Sequence, residues 1–245
     1  MGKGKLVKFA TLATLPNVYQ NHDKYDNALL VNYLGEKIAL KGKWQPEVFG
    51  NSQPITLELA CGGGEYTVAL AAMHPDRNFV GIDIKGARIL RGASQAVAAG
   101  LHNAAFMRTR IEELLHFFAP SEISEIWLTF PDPFLRNSDR NHRLTSYRFL
   151  RLYQQFLAPN AIIHLKTDEP NLYHYTLEVL ADIGATVHYH NADIYAQPLI
   201  MPELGVKTYF ESIDIANEST VKYIQFSLPV GEIMIPQRQK AESAE

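Results

Sequence analysis

Residues 55–66 read ITLELACGGGEY: a short apolar run breaks into glycines and passes at once into a helical pattern, GEYTVALAAMH, which Pro75 stops. A strand that enters a helix through a glycine turn begins a crossover unit, and the same alternation continues downstream. NFVGIDI, NAAFMR, SEIWLTF and AIIHLKT read as strands. KGARILRGASQAVAAG, IEELLHFF, TSYRFLRLYQQFLA and NLYHYTLEVLADIG read as the helices that alternate with them. Parallel neighbours need crossovers, and right-handed helical connections supply them. The expected fold is therefore α/β: a doubly wound, mostly parallel sheet with helices on both faces. ATVHYHNADIY and STVKYIQFSLP offer two closing strands, separated by a loop and a helix around GVKTYFESIDIAN, with an antiparallel hairpin strand closing the sheet.

Upstream, residues 1–20 look like a flexible basic arm, since periodicity is weak and Pro16 interrupts any helix. Asp23 to Leu40 reads as a helix, with Leu29, Leu30, Tyr33 and Leu34 at helical spacing, and GKWQPEVFGNSQP as a connection. One domain over residues 21–230 and a frayed tail over 231–245 complete the organisation. At 245 residues and 47% apolar content the chain can bury one sizeable core. Its single cysteine, Cys61, excludes an intramolecular disulfide and zinc sites built from several thiolates. No run approaches the roughly 18 apolar residues of a membrane span, and the start MGKGKLVKFATL lacks an apolar signal core. A cytoplasmic location is expected.

Net charge is −3, which taken alone argues against a nucleic-acid partner. Its distribution points the other way. Lys3, Lys5 and Lys8 stand without an acid in the first ten residues, and five arginines stand against Asp139 alone in residues 136–151.

In the glycine turn, Gly62, Gly64 and Thr67 fill only two of the three glycine positions of the dinucleotide fingerprint. An acid inside the strand followed by a glycine turn, as in Glu58, Gly62 and Gly64, instead suits S-adenosylmethionine. The methionine end of that cofactor carries an ammonium and a sulfonium, which attract a carboxylate, whereas a pyrophosphate would be repelled. Asp83 closes the second strand of the alternation, placed to accept from two ribose hydroxyls. The turn by itself also fits an ordinary strand–helix connection.

FPDPF, residues 130–134, follows the strand SEIWLTF, where open α/β sheets bind their ligands. Proline on both sides of Asp132 restricts the backbone and aims the carboxylate. A rigid turn with a capping aspartate is the plainer alternative.

LELACGGGEY, FPDPFLRNSDRNHRL, HLKTDEPNLYHYTLEVL and VKTYFE, in this order and spacing, resemble the bacterial tRNA (guanine-N7-)-methyltransferases, the TrmB group, over residues 55–228. The resemblance implies a class I S-adenosylmethionine-dependent methyltransferase (Rossmann-like) fold that methylates N7 of guanine 46 in the tRNA variable loop. Asp132, Arg136, Asp168 and the run Thr208, Tyr209, Phe210, Glu211 match the family residues that surround the target guanine. Asp132 is the candidate catalytic residue. Glu58, Gly62, Gly64, Asp83, Arg110 and Asp132 are the candidate cofactor-binding set, with no metal. Three departures stand out: Ala60 replaces the usual first glycine, Asn137, Ser138, Asp139 and Asn141 dilute the basic stretch, and Arg110 stands where an acid near the adenine is common.

The arginines at 136, 140, 143, 148 and 151, with the N-terminal lysines, are the candidate RNA-backbone contacts. His188 and His190 share a strand face without a clear third metal ligand, and Tyr147, Tyr153 and Phe156 read as core. Methylation of an exocyclic amine or a small molecule, and an inactive tRNA-binding relative, are the alternatives. A dehydrogenase is disfavoured by the missing third glycine. Monomer and homodimer both remain open.

Overall fold

A computed structural model describes residues 3–21, 29–209, 211 and 220–234. In chain order the elements are α1 (Lys3–Leu12), β1 (Val18–Gln20), β2 (Leu30–Val31), β3 (Lys37–Ile38), β4 (Ile55–Leu59), α2 (Glu65–Met73), β5 (Asn78–Asp83), α3 (Gly86–Ala98), β6 (Ala104–Arg108), β7 (Ile123–Thr129), α4 (Tyr147–Gln154), β8 (Leu157–Thr167), α5 (Pro170–Asp182), β9 (Thr186–Asn191) and β10 (Lys222–Ser227). They form one ten-stranded sheet of order β3-β2-β1-β6-β5-β4-β7-β8-β10-β9. The run from β1 through β6, β5, β4 and β7 to β8 is parallel, and β10 lies antiparallel between β8 and β9.

The two-residue period of each strand explains the layers. Leu57, Val80, Ile82, Ala105, Met107, Ile126 and Leu128 join one core with α4 and α5. Phe79, Ala104, Phe106 and Trp127, at the alternate positions, join a second core with Leu12 of α1, Tyr66 and Leu70 of α2, and Ile89 and Ala93 of α3. Helices therefore cover both faces, as the strand–helix alternation implies. Tyr147, Tyr153 and Phe156 are core residues.

The chain departs from the sequence reading near its start. Residues 3–12 are helical and docked on α3: Leu12 is fully buried, and the Phe9 ring lies 4.5 Å from the Arg108 guanidinium. Pro16 marks the end of this segment, and β1 then pairs with β6. Over residues 29–40 two short antiparallel strands replace the expected helix, while residues 22–28 lie outside the described part. The Asn32 carboxamide oxygen accepts from the amides of Leu34 and Glu36, and Gly35 takes φ +80°, so a side-chain-closed turn competes out the helix. IEELLHFF forms a short 3₁₀ segment, Ile111–His116, rather than a full helix. The expected helix around residues 205–217 falls largely outside the described residues. Residues 231–234 pack on α4, with Ile233 buried and Glu232 paired to Arg151 at 2.8 Å. Among the described residues no helix is long and apolar enough to cross a membrane.

Candidate active site

The loops after β4, β5, β6, β7 and β8 open on a cavity of about 1580 Å³ at the carboxyl ends of the parallel strands. Small-molecule pockets usually span roughly 300–1,000 Å³. The space therefore suits a nucleoside-sized ligand and a nucleotide side by side.

The glycine turn forms one wall. Gly62 has φ +55° and faces open space where a Cβ would stand, so a ligand can approach its backbone. Its amide donates to Asp83 Oδ2 at 3.0 Å, and the Lys85 amide donates to Oδ1 at 2.7 Å. Each oxygen keeps a lone pair for a further donor, and Asp83 lines the cavity, which fits two hydroxyls of a ribose. Arg110 lies on the same wall, exposed. Ala60 holds φ +57°, a left-handed conformation that costs an L-residue about 1–2 kcal/mol. Ala60→Gly is therefore expected to raise unfolding free energy by about 1 kcal/mol in denaturant titration, part of the gain being lost to the freer unfolded chain.

Glu58 and Gly64, expected at the cofactor, lie outside the cavity wall. A Cβ on Gly64 would sit 2.5 Å from Phe106 Cε1, so this glycine permits close helix–sheet packing. Glu58 is buried beneath the turn. Its Oε2 accepts from the Thr67 amide (2.8 Å) and hydroxyl (2.5 Å), and its Oε1 from the Thr129 hydroxyl (2.8 Å). The carboxyl thus ties β4 to the start of α2 and the end of β7. Burial, outweighing these hydrogen bonds, pushes its pKa up to about 7. An acid whose folded pKa exceeds its unfolded value makes the native state bind the extra proton, so stability falls as pH rises from about 4.5 to about 7. Glu58→Gln is expected to raise the melting temperature more at pH 8 than at pH 5, read by thermal melts at both pH values.

The PDPF loop forms the facing wall. Phe130 and Phe134 bracket it with φ +47° and +44°. Such residues persist only where surroundings hold them. The Phe130 amide donates to the Lys166 carbonyl at 2.8 Å. Arg143 Nε donates to the carbonyls of Pro133 (2.9 Å) and Phe134 (3.2 Å), and Nη2 donates to Phe134 again (3.0 Å). The guanidinium also stacks 4.4 Å from the Tyr175 ring centroid. Arg143 is therefore a buried clamp, which corrects its reading as an RNA contact.

Asp132 and Asp168 both line the cavity, and neither carboxylate has a hydrogen-bonding or ionic partner among the described residues. Lys222 Nζ donates to the Asp168 carbonyl at 2.9 Å and fixes the backbone there. Glu169 caps α5 by accepting from the Asn171 amide at 2.9 Å, with Pro170 in the first turn.

Thr208, Tyr209 and Glu211 complete the wall, while Phe210 lies outside the described residues. The Glu211 amide donates to Thr208 Oγ1 at 3.2 Å, the first half of a capping box, which accounts for the Thr-x-x-Glu spacing. The Glu211 carboxylate turns inward, however, to Lys166 Nζ at 3.0 Å and to the Tyr195 hydroxyl. Nothing in the sequence reading singled out Lys166, although it stands two residues before Asp168 in the stretch HLKTDEP.

Arg136 is exposed and lies outside the cavity wall, just before the 3₁₀ turn Asn137–His142, whose last residue does line the cavity. Arg148 approaches Glu112 at 3.9 Å. Cys61 is buried in the glycine turn, and burial pushes its thiol pKa well up, against a nucleophilic role. His190 bonds to the Tyr173 hydroxyl at 2.8 Å and His188 to the Ser227 hydroxyl at 3.0 Å. Among the described residues no group of three or more His, Cys, Asp or Glu could hold a metal ion.

A family described as "Putative methyltransferase" matches residues 52–222. The tRNA (guanine-N(7)-)-methyltransferase of Bacteroides fragilis is 44% identical over 96% of this chain and 90% of its own length. The protein of that name from Christiangramia forsetii is 42% identical over 86% of this chain and 96% of its own. Among solved structures, the 16S rRNA methyltransferase KamB superposes with TM-score 0.61 at 14% identity, over 79% of this chain and 97% of its own. A 16S rRNA (adenine(1408)-N(1))-methyltransferase from Catenulisporales acidiphilia, solved with SAM, superposes with TM-score 0.56 at 14% identity, over 81% of this chain and 96% of its own. At such identities these structures share the fold, the Rossmann-like sheet of class I methyltransferases.

Proposed function

The chain belongs to the tRNA (guanine-N(7)-)-methyltransferase family, and on that premise we propose that it methylates N7 of a guanine in tRNA, guanine 46 of the variable loop. The observation that carries the reading is the pair of carboxylates, Asp132 and Asp168, without a partner among the described residues and lining one cavity with Gly62 and Asp83.

The open backbone at Gly62 and the spare lone pairs of Asp83 fit S-adenosylmethionine, with Arg110 at the adenine end. When bound, that cofactor supplies an electrophilic methyl group on a sulfonium. Guanine N7 carries a free lone pair, so no base need remove a proton from it. What the chain must supply is orientation and a field that tolerates positive charge growing on the purine. Asp132, aimed by its two prolines and by the Arg143 clamp, accepts from the guanine N1–H and N2–H₂ edge and offsets that charge. Asp168 does the same from β8, and Thr208 with Glu211 closes the third side. Gly64 and Glu58 support the turn from beneath.

Exposed Arg136, with Arg148 and Lys8, binds the RNA backbone and offsets the few kcal/mol needed to draw the guanine out of its stack. Arg136→Ala is expected to lower the slope of log affinity against log salt by about one. An unchanged slope in filter-binding titrations removes Arg136 from the interface. The functional reading is tested by incubating the chain with methyl-labelled S-adenosylmethionine and unmodified tRNA, then separating nucleosides. Label in 7-methylguanosine is expected, and label in an exocyclic-amine product or none contradicts it.

A further inference from the structure

Lys166 is fully buried in β8, where an unpaired ammonium would cost several kcal/mol. Its Nζ meets four oxygens: Leu204 O at 3.0 Å, Val206 O at 2.9 Å, Glu211 Oε2 at 3.0 Å and the Tyr195 hydroxyl at 3.2 Å. All four belong to one stretch, the connection from β9 to β10, and Thr208 follows the second of those carbonyls by two residues. The backbone of the same lysine faces the other way, its carbonyl taking the Phe130 amide at 2.8 Å where the PDPF loop begins. One residue therefore ties together both walls between which Asp132 and Glu211 stand. A buried ion pair is weak evidence of a stabilising role, because apolar residues of equal volume usually stabilise as well. All four oxygen partners come from the one connection that carries Thr208 and Glu211, which is what a placing role requires; the Tyr66 and Phe130 rings lie 5.5 Å from the ammonium.

The charge balance points the same way. The ammonium lies against the Glu211 carboxylate, so that pair is neutral as a unit and Glu211 faces the cavity as a hydrogen-bond acceptor more than as a charge. Of the three acids assigned to the guanine, Asp132 and Asp168 are left to offset a cationic purine.

We propose that Lys166 is a positioning residue for methyl transfer: it holds residues 204–209 and Glu211 against the sheet so that Thr208 and Glu211 meet the guanine, and it cancels the Glu211 charge. The inference rests on the functional reading above and deepens it. Burial lowers the Lys166 pKa and Glu211 partly restores it, as this pairing requires.

The test uses the full chain with Lys166→Met, S-adenosylmethionine and unmodified tRNA. Turnover is expected to fall about a hundredfold, the scale of a wall displaced by about 1 Å. Cofactor affinity by calorimetry is expected to stay within about threefold at a stoichiometry near one, because Lys166 does not touch the glycine turn; this separates misplacement from unfolding. Combining Lys166→Met with Glu211→Gln is expected to cost no more than Lys166→Met alone, the mark of two groups acting as one unit. Where the Met variant does not fold, Lys166→Arg keeps the charge but displaces the four oxygens, and a loss of about tenfold or more in turnover with cofactor binding retained is expected. Turnover of the folded Met or Arg variant within about twofold of the parent overturns the inference, as does additivity with Glu211→Gln. Absence of 7-methylguanosine from the parent chain overturns the functional reading and this inference with it.

Discussion

Asp132→Asn is expected to lower turnover on tRNA by about 10²–10³-fold while cofactor affinity changes less than about threefold, the range seen when one preorganised charge-stabilising group is removed. The substitution keeps the size and the backbone of a loop that prolines on both sides already restrict. It removes the negative charge and turns an amide NH₂ toward the guanine edge, which itself presents donors at N1 and N2. Both changes act on the state in which the purine has become cationic, so the loss belongs in kcat more than in the Michaelis constant for tRNA. Single-turnover kinetics with cofactor saturating would measure it. Near-normal turnover would mean that the Asp132 carboxylate does not meet the base.

Arg143→Met is expected to have a comparable effect on turnover by a different route. Arg143 is 4% exposed, and its guanidinium makes three hydrogen bonds to two carbonyls of the PDPF loop. Its loss leaves Pro133 and Phe134 carbonyls without that donor, at about 1–3 kcal/mol for each that stays unsatisfied. It also frees Phe134 to leave a left-handed conformation that costs roughly 1–3 kcal/mol. The loop should relax, carrying Asp132 away from its aim, with turnover down about a hundredfold and a melting temperature lower by several degrees. The salt dependence of tRNA binding should not change, since the group is not at the surface. A flattened salt slope with normal stability would return Arg143 to the set of phosphate contacts.

The fold was legible where period and punctuation agreed. From Ile55 to Gly184 glycines and prolines stand at the ends of apolar runs, and the parallel strands and most of the helices between them follow from that pattern. It was illegible where side chains decided the backbone. Asn32 closes a turn inside a stretch that has helical spacing, and docking of Leu12 and Phe9 makes a helix of an N-terminal segment with weak periodicity.

The candidate site divides in the same way. Asp83, Asp132, Asp168 and Thr208 carry their positions in their motifs, and all line one cavity. Glu58 and Arg143 were legible as charges and not as partners, because nothing in a sequence tells whether a carboxylate meets a ligand or three hydroxyl and amide donors beneath it. Lys166 shows this most fully: nothing marks the one lysine of the strand AIIHLKT, yet four oxygens from a segment more than 25 residues away surround its ammonium.

The most direct measurement is a crystal structure of the chain with S-adenosylhomocysteine and a guanosine-containing tRNA fragment, read for the position of the purine. The expected result has the guanine N1–H and N2–H₂ edge within hydrogen-bonding distance of the Asp132 and Asp168 carboxylates, with N7 turned toward the cofactor sulfur. A purine seated elsewhere, with the sulfur directed away from Asp132, would contradict the claim that these two carboxylates hold the base as it becomes a cation.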